Sequence, residues 1–595
     1  MVWPVYQAST QPLKAYILRY RRRALAGFAS VLVAIVLGLA IPYILRITID
    51  RLQAGDLDTA GLTSLIAIFF VASVLTSLFS IFMRRILLGL GQRVEYDIRE
   101  RVFDHLTRMD HGFFQRERTG DIMTKMTSDL FSVKEMVGQG LLQGSRIVIG
   151  FPLAFGIMFT LNVRLALTIM AIIPVISLVF FLIIRLIRKR YDAAQEQFSL
   201  IQNFCQENFG GFRTVKGFGI EERMKDRFRV LNEKYIDLNM RLTRVEEPVW
   251  PFMVFMFGIG TLLLLLAGGR QVIEGTLTLG EYVQFNQYLL YLQWPMLALG
   301  WTSNLFQRGI ASWRRICTIL DTQPDIKNPP DTSTGSPAVN GDIQLNAVTY
   351  TVDDRTLLQD INLVIPAGQV VAITGPTGSG KTLLISLICR LIDPSRGVVR
   401  IGGLDLRDFP LQTLRAGIGL APQEAFLFSD TLANNIALGL MPASTGEANP
   451  HEDKVLWAAG IAHLRDDVET FPRKFATMLG ERGVTLSGGQ RQRTAISRAI
   501  ALDPSILILD DVFSAVDTQT EAKILAGLLP VLRQRTAILV SHRVSTLKHA
   551  DRIIVLENGR IAQDGTHAEL IAQEGYYREQ DEMQRLEARL EGDEA

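Results

Sequence analysis

The sequence has 595 residues, 48% of them hydrophobic, with a mean hydropathy of +0.20 and a formal net charge of +2. That length exceeds one domain and that apolar content excludes a wholly soluble protein, so part of the chain belongs in a membrane. The near-neutral charge gives no argument for a nucleic-acid partner, and the widely spaced Cys205, Cys317 and Cys389 suggest neither a disulfide framework nor a zinc site.

In chain order, residues 1–23 read as an amphipathic helix on the cytoplasmic face, ending in the basic cluster Arg19, Arg21, Arg22 and Arg23. The long apolar run behind that cluster, without a small-residue cleavage site, argues against a cleavable signal peptide. Uncharged stretches follow at 24–45, 60–83, 147–163, 165–184, 248–269 and 282–307. Each approaches the roughly 20 residues that cross about 30 Å of hydrocarbon, the third being extended on its N-terminal side to about residue 140. Six spans are therefore expected within a membrane domain, residues 1–322. Arg19–Arg23, Arg84 with Arg85, Arg185–Arg190, and Arg308 with Arg314 and Arg315 all fall on one side, which puts both termini in the cytoplasm.

The segments joining spans two to three and four to five are long, charged and helical in pattern, as expected of helices that continue past the membrane. Spans five and six carry Trp250, Tyr282, Gln284, Asn286, Gln287, Tyr288, Tyr291, Gln293 and Trp294. Such groups either line a polar pathway or serve as interfacial anchors and interhelical hydrogen-bond partners.

A Pro-, Ser-, Thr-, Asp- and Gly-rich linker, residues 323–341, leads into a soluble α/β domain at 342–576. Strands are expected at 343–349, 370–374, 417–421, 506–509 and 537–541. A charged tail, 577–595, reads as a solvated helix without chemistry. Between the strand at 370–374 and a helix lies Gly375-Pro376-Thr377-Gly378-Ser379-Gly380-Lys381-Thr382, a Walker A loop. Its glycines let backbone N–H groups approach a polyphosphate at a helix N-terminus, Lys381 reaches the β and γ phosphates, and Thr382 ligates Mg²⁺. Asp510 ends an apolar strand as a Walker B acid beside that Mg²⁺. Gln423 is placed to contact the metal and water, and His542 to contact the γ phosphate. Ser487-Gly488-Gly489-Gln490 forms a second anion-binding nest, which in a domain already holding a phosphate loop serves a neighbour's ATP.

With Gly480-Glu481-Arg482-Gly483 upstream and Ser514-Ala515-Val516-Asp517 as a D-loop, these motifs closely resemble an ABC transporter half. The resemblance implies a six-helix membrane domain with long cytoplasmic extensions fused to a P-loop ATPase. It also implies head-to-tail dimerisation around two ATP, and a twelve-span dimer that alternates its opening. The stretches 112–130 and 207–221 resemble the intracellular loops of such exporters, whose coupling helices sit in grooves of the ATPase domains.

The departures are specific. Where the family usually has a catalytic Glu, this chain has Asp511, one methylene shorter, whose carboxylate falls short by about 1 Å of general-base reach. Where an aromatic residue usually stacks on adenine stands Val352, and the aromatic nearest to it in the strand is Tyr350, two residues before. These features resemble the degenerate-site subunit of heterodimeric bacterial multidrug exporters, similar in layout to the antigen-processing peptide transporter. The expectation is an ATP-driven exporter of drugs, peptides or lipids whose partner subunit carries the catalytic Glu. The alternatives are a homodimeric lipid or lipopeptide flippase and an ATP-gated channel or regulatory protein on the same scaffold. The six spans reject a soluble DNA-repair ATPase, and importers usually keep the two domains on separate chains.

Overall fold

A computed structural model describes residues 13–329, 337–440, 452–480, 483 and 486–593. The described residues pack as two units. One comprises those up to Thr107 with Thr119–Thr322, and the other Arg108–Arg118 with those from Gln323 onward.

In the first unit all the regular structure is helical. Its main elements are Arg21–Ala54, Thr59–Thr107, the run Thr119–Leu161, Val163–Met170 with Ile172–Gly210, Glu221–Glu246 with Val249–Ile273, and Leu279–Asp321. At 49 residues, Thr59–Thr107 is about 74 Å long, more than twice the hydrocarbon thickness, so it continues well beyond the bilayer. Arg21–Ala54, Thr59–Thr107, Thr119–Leu161 and Glu221–Ile273 are long and apolar enough to cross a membrane. The fourth and sixth expected spans fall on Val163–Met170 with Ile172–Gly210 and on Leu279–Asp321, where Gln284, Asn286, Gln287 and Gln293 dilute the apolar run.

Turns at one end of the bundle are short because side chains cap them. Asn162 accepts from Leu165 N at 3.0 Å, and Thr278 and Glu281 form a reciprocal capping box. The core gathers Val31, Leu39, Leu87, Leu142, Met158, Leu264 and Phe285, while Phe70, Val71, Leu265 and Leu266 remain exposed, as residues that meet lipid do. Two π-helical turns, Lys125–Asp129 and Met136–Gly140, interrupt Thr119–Leu161. The first presents a buried Asp129, which accepts from Ser312 Oγ and Arg315 Nε, both at 2.9 Å, on the last long helix.

The second unit holds two sheets. Its strands are β1 Ile343–Val352, β2 Arg355–Ile365, β3 Val370–Thr374, β4 Arg396–Ile401, β5 Leu404–Asp405, β6 Ile418–Ala421, β7 Ile506–Asp510, β8 Thr536–Val540, β9 Arg552–Glu557 and β10 Arg560–Gly565. The larger sheet runs β10-β9-β3-β8-β7-β6 and the smaller β2-β1-β4-β5. In the larger, β9-β3-β8-β7-β6 pair in parallel, so their C-terminal ends share one edge. Strands β3, β7 and β8 are buried at every residue, which is why they read as unbroken apolar runs.

Two expectations need correction. Strand β1 continues to Val352 and pairs with β2, a strand not foreseen. The C-terminal segment is not merely a solvated helix: in Tyr576–Asp593, Tyr577 is fully buried against Val544, Leu547 and Leu570.

Candidate functional site

The chain leaves β3 at Thr374, turns, and enters helix Lys381–Ile388. The turn depends on glycine at three points, Gly375, Gly378 and Gly380, all at positive φ. Gly375 and Gly380 have φ of +143° and +102°, and a Cβ there would stand 2.0 Å from the Leu556 carbonyl oxygen and 2.6 Å from Leu358 Cδ2. Gly378 faces open space instead, leaving a cradle above the backbone. Lys381 Nζ donates to the carbonyls of Gly375 at 2.7 Å and Pro376 at 2.9 Å, closing the loop around an ammonium group. Burial pushes the Lys381 amine below its usual value, with Asp511 and Asp510 pulling the other way. The buried Ser379 hydroxyl has no hydrogen-bond partner among the described residues.

Asp510 ends β7 and accepts a hydrogen bond from the Thr382 hydroxyl. Burial raises its carboxyl above the ordinary range and Asp511 adds to that, against Thr382 and Lys381. Asp511 follows at a φ of +49°, its N–H donating to the Val540 carbonyl at 2.9 Å and its carboxylate accepting from Gln423 Nε2 at 3.3 Å. His542 follows β8, and burial, reinforced by Lys381, pushes its imidazole below the usual histidine value despite Asp511 and so favours the neutral ring.

Thr377, Gly378, Gly380, Lys381, Thr382, Gln423, Asp510, Asp511 and His542 all border one cavity of about 280 Å³. Gly375, Pro376 and Ser379 belong to the loop behind it. Four separate chain segments thus converge because parallel strands deliver their ends to one edge. The ammonium group and open cradle suit a polyphosphate. The adjoining oxygen donors of Thr382 and Asp510 fit a hard cation such as Mg²⁺.

Ser487–Gln490 lies elsewhere. Ser487 Oγ accepts from Gln490 N at 3.2 Å and Gln490 Oε1 accepts from Ser487 N at 3.0 Å, a capping box that starts helix Gly488–Ala501. That helix is tied to the D-loop, since Gln492 donates to Ser514 Oγ at 2.8 Å and accepts from Ala515 N at 3.0 Å. Ser514 Oγ in turn donates to the Asp511 carbonyl at 3.1 Å. Glu481 and Arg482, upstream of this nest, fall outside the described residues.

Several participants escaped sequence reasoning. Gln580 and Gln584 of the C-terminal helix both donate to the His542 carbonyl, the latter at 2.6 Å. Gln584 also accepts from Val544 N at 2.8 Å, and Thr374 Oγ1 donates to Gln580 at 3.3 Å. The helix therefore joins the end of β3 to the His542 turn. Tyr350 packs half-buried on the core while Val352 is exposed, and neither borders the cavity.

In the membrane unit, Gln284 and Tyr288 are buried and bonded to each other, and the Tyr288 hydroxyl donates to the Leu39 carbonyl at 2.8 Å, an interhelical role. Tyr291 and Trp294 instead border a cavity of about 200 Å³ with Gln143 and Arg146. Arg146 lies inside the third span as extended to residue 140, which is therefore not uncharged.

Comparison with known proteins accords with both units. Residues 24–296 match the family described as ABC transporter transmembrane region, and residues 358–514 match ABC transporter. The chain is 35% identical over 585 residues to the Multidrug resistance-like ATP-binding protein MdlA of Escherichia coli, covering 97% of each. It is 33% identical over 556 residues to the ATP-dependent lipid A-core flippase of Desulfotalea psychrophila, covering 93% of this chain and 95% of that one. A solved bacterial Atm1-family ABC exporter with ATP bound superimposes with a TM-score of 0.76 at 27% identity, over 95% of this chain and 98% of that one. The chain belongs to the ABC transporters, as an exporter half in which a membrane domain is fused to an ATPase domain.

Proposed function

We propose that this ABC exporter half is the subunit with the hydrolytically impaired ATP site in a heterodimeric exporter of hydrophobic or amphipathic substrates. The observation that carries the reading is Asp511, a short carboxylate engaged by Gln423 where a longer general base would face the attacking water. In this reading Gly375–Thr382 binds the ATP phosphates, and Thr382, Gln423 and Asp510 hold Mg²⁺, which neutralises phosphate charge when bound. His542 contacts the γ phosphate. Ser487–Gln490 completes the ATP site of a partner that carries the Glu. Domain limits of 1–322, 323–341 and 342–576, and a cytoplasmic-membrane location with both termini inside, belong to the same proposal.

A second reading, a homodimeric lipid flippase, draws support from the similarity to lipid A-core flippases. Inside-out vesicles separate export from gating: ATP-dependent concentrative uptake of an amphipathic dye is expected, and purely downhill flux would favour the channel alternative. Co-expression of the chain with a differently tagged copy of itself and with a Glu-bearing half separates the assemblies. Preferential capture of the Glu-bearing half is expected, and exclusive self-capture points to the flippase.

A further inference from the structure

A cavity of about 960 Å³ lies where helices Arg21–Ala54 and Thr59–Thr107 meet at their arginine-rich ends. Arg22, Arg23, Arg85 and Arg93 border it. All four are exposed, and none makes an ion pair among the described residues. The lone carboxylate on the wall, Asp97, is already spent. Its side chain is 8% exposed, pairs with Arg19 at 3.2 Å, and accepts from the Tyr20 hydroxyl at 3.0 Å. The Tyr20 ring in turn lies 6.0 Å from the Arg93 guanidinium. Four guanidinium groups thus border a groove whose one lining carboxylate is already paired with Arg19, outside the four. Guanidinium groups bind phosphate oxygens through paired N–H donors.

The surroundings select the form of that phosphate. Leu25, 67% exposed, stands three residues beyond Arg22, and Phe82, 52% exposed, three residues before Arg85. Each lies one helical turn into the span, on the same side of its helix as the arginine it follows or precedes. A ligand whose phosphate reaches the arginines therefore has apolar surface directly beside it on the membrane side. Gly89 helps keep the groove open, since a Cβ there would meet nothing within 4 Å.

We propose that this groove binds the phosphate headgroup of an anionic membrane phospholipid, its acyl chains lying along the exposed apolar surface at Leu25 and Phe82. The proposal rests on the membrane placement of these helices and not on the heterodimer reading, so either can fail alone.

The full chain, in its native assembly, is reconstituted into phosphatidylcholine nanodiscs with and without phosphatidylglycerol. Lipid retained after release is counted by native mass spectrometry. Retained phosphatidylglycerol should fall about fivefold for each arginine removed in Arg85→Gln and Arg93→Gln. Gly89→Leu, which fills the groove and keeps every charge, should also reduce retention. Arg85→Lys with Arg93→Lys should preserve much of it, and serves if the glutamine variants fold poorly. Unchanged retention in both Gly89→Leu and the double glutamine variant would overturn the site. Displacement of phosphatidylglycerol by millimolar inorganic phosphate would overturn the lipid assignment in favour of a free anion.

Discussion

Two polar faces of the ATPase unit, around Lys381 and around Ser487, are built in opposite ways. Around Lys381, polar groups from four segments point into one cavity and the loop tolerates positive φ at Gly375 and Gly380 to hold them there. Around Ser487, the polar groups satisfy one another in a capping box and leave only a helix N-terminus facing outward. The first face draws these groups from a single chain. The Gln492–Ser514–Asp511 contacts link the second to the first.

The largest effect that separates the faces is expected from Lys381→Ala. Removing the buried ammonium group should weaken ATP binding to the chain about 10- to 100-fold, measured by nucleotide titration, while thermal stability changes little. A comparable loss with Ser487→Ala in the chain alone would break the distinction.

Next in size is the clamp on His542. Gln580→Ala with Gln584→Ala leaves the His542 carbonyl without these donors and frees the turn from β3. About a tenfold loss of turnover with nearly unchanged ATP affinity is expected, and equal loss of affinity would mean that the helix supports the whole cleft.

Ser487→Ala should cost about 1 kcal/mol of stability, the worth of an N-cap, read from denaturant unfolding of the full chain. Its effect on hydrolysis should appear only in an assembly whose other half supplies the ATP.

The smallest effect is a titration. In the nucleotide-free chain, the His542 imidazole should titrate below an ordinary solvent-exposed histidine by histidine-selective NMR, and Asp511→Asn should lower it further because Asp511 now raises it. An upward shift in that variant would contradict the electrostatics described for the cleft.

These two faces also differ in how far they were legible. The Lys381 loop, Asp510 and His542 could be read because buried parallel strands write themselves as apolar runs and the functional groups stand at their ends. Strand β2 was not foreseen because only Leu358, Ile361, Leu363 and Ile365 along it are buried, and the β1–β2 turn uses Asp353 and Asp354 at positive φ rather than glycine. Strand β9 offers a short apolar run, Ile553–Leu556, which periodicity cannot distinguish from a helix segment. Gln580 and Gln584 could not be recognised, since a glutamine four residues from another looks like any solvated helix face until tertiary packing aims both at one carbonyl. In the membrane unit, the residue types of Gln284 and Tyr288 left a pathway role and an interhelical role equally open, and only tertiary packing bonds Gln284 to Tyr288 and Tyr288 to the Leu39 carbonyl of another helix.

The central claim is that Asp511 makes this chain's own ATP site slow within an asymmetric pair. Steady-state ATPase activity of the purified chain, alone and co-assembled with a Glu-bearing half, each with Asp511 and with Asp511→Glu, tests it most directly. Low activity alone, strong activity in the pair and modest dependence on residue 511 in the pair are predicted. High activity of the unmodified chain alone would show that Asp511 suffices as a general base in a homodimer, and would contradict the account.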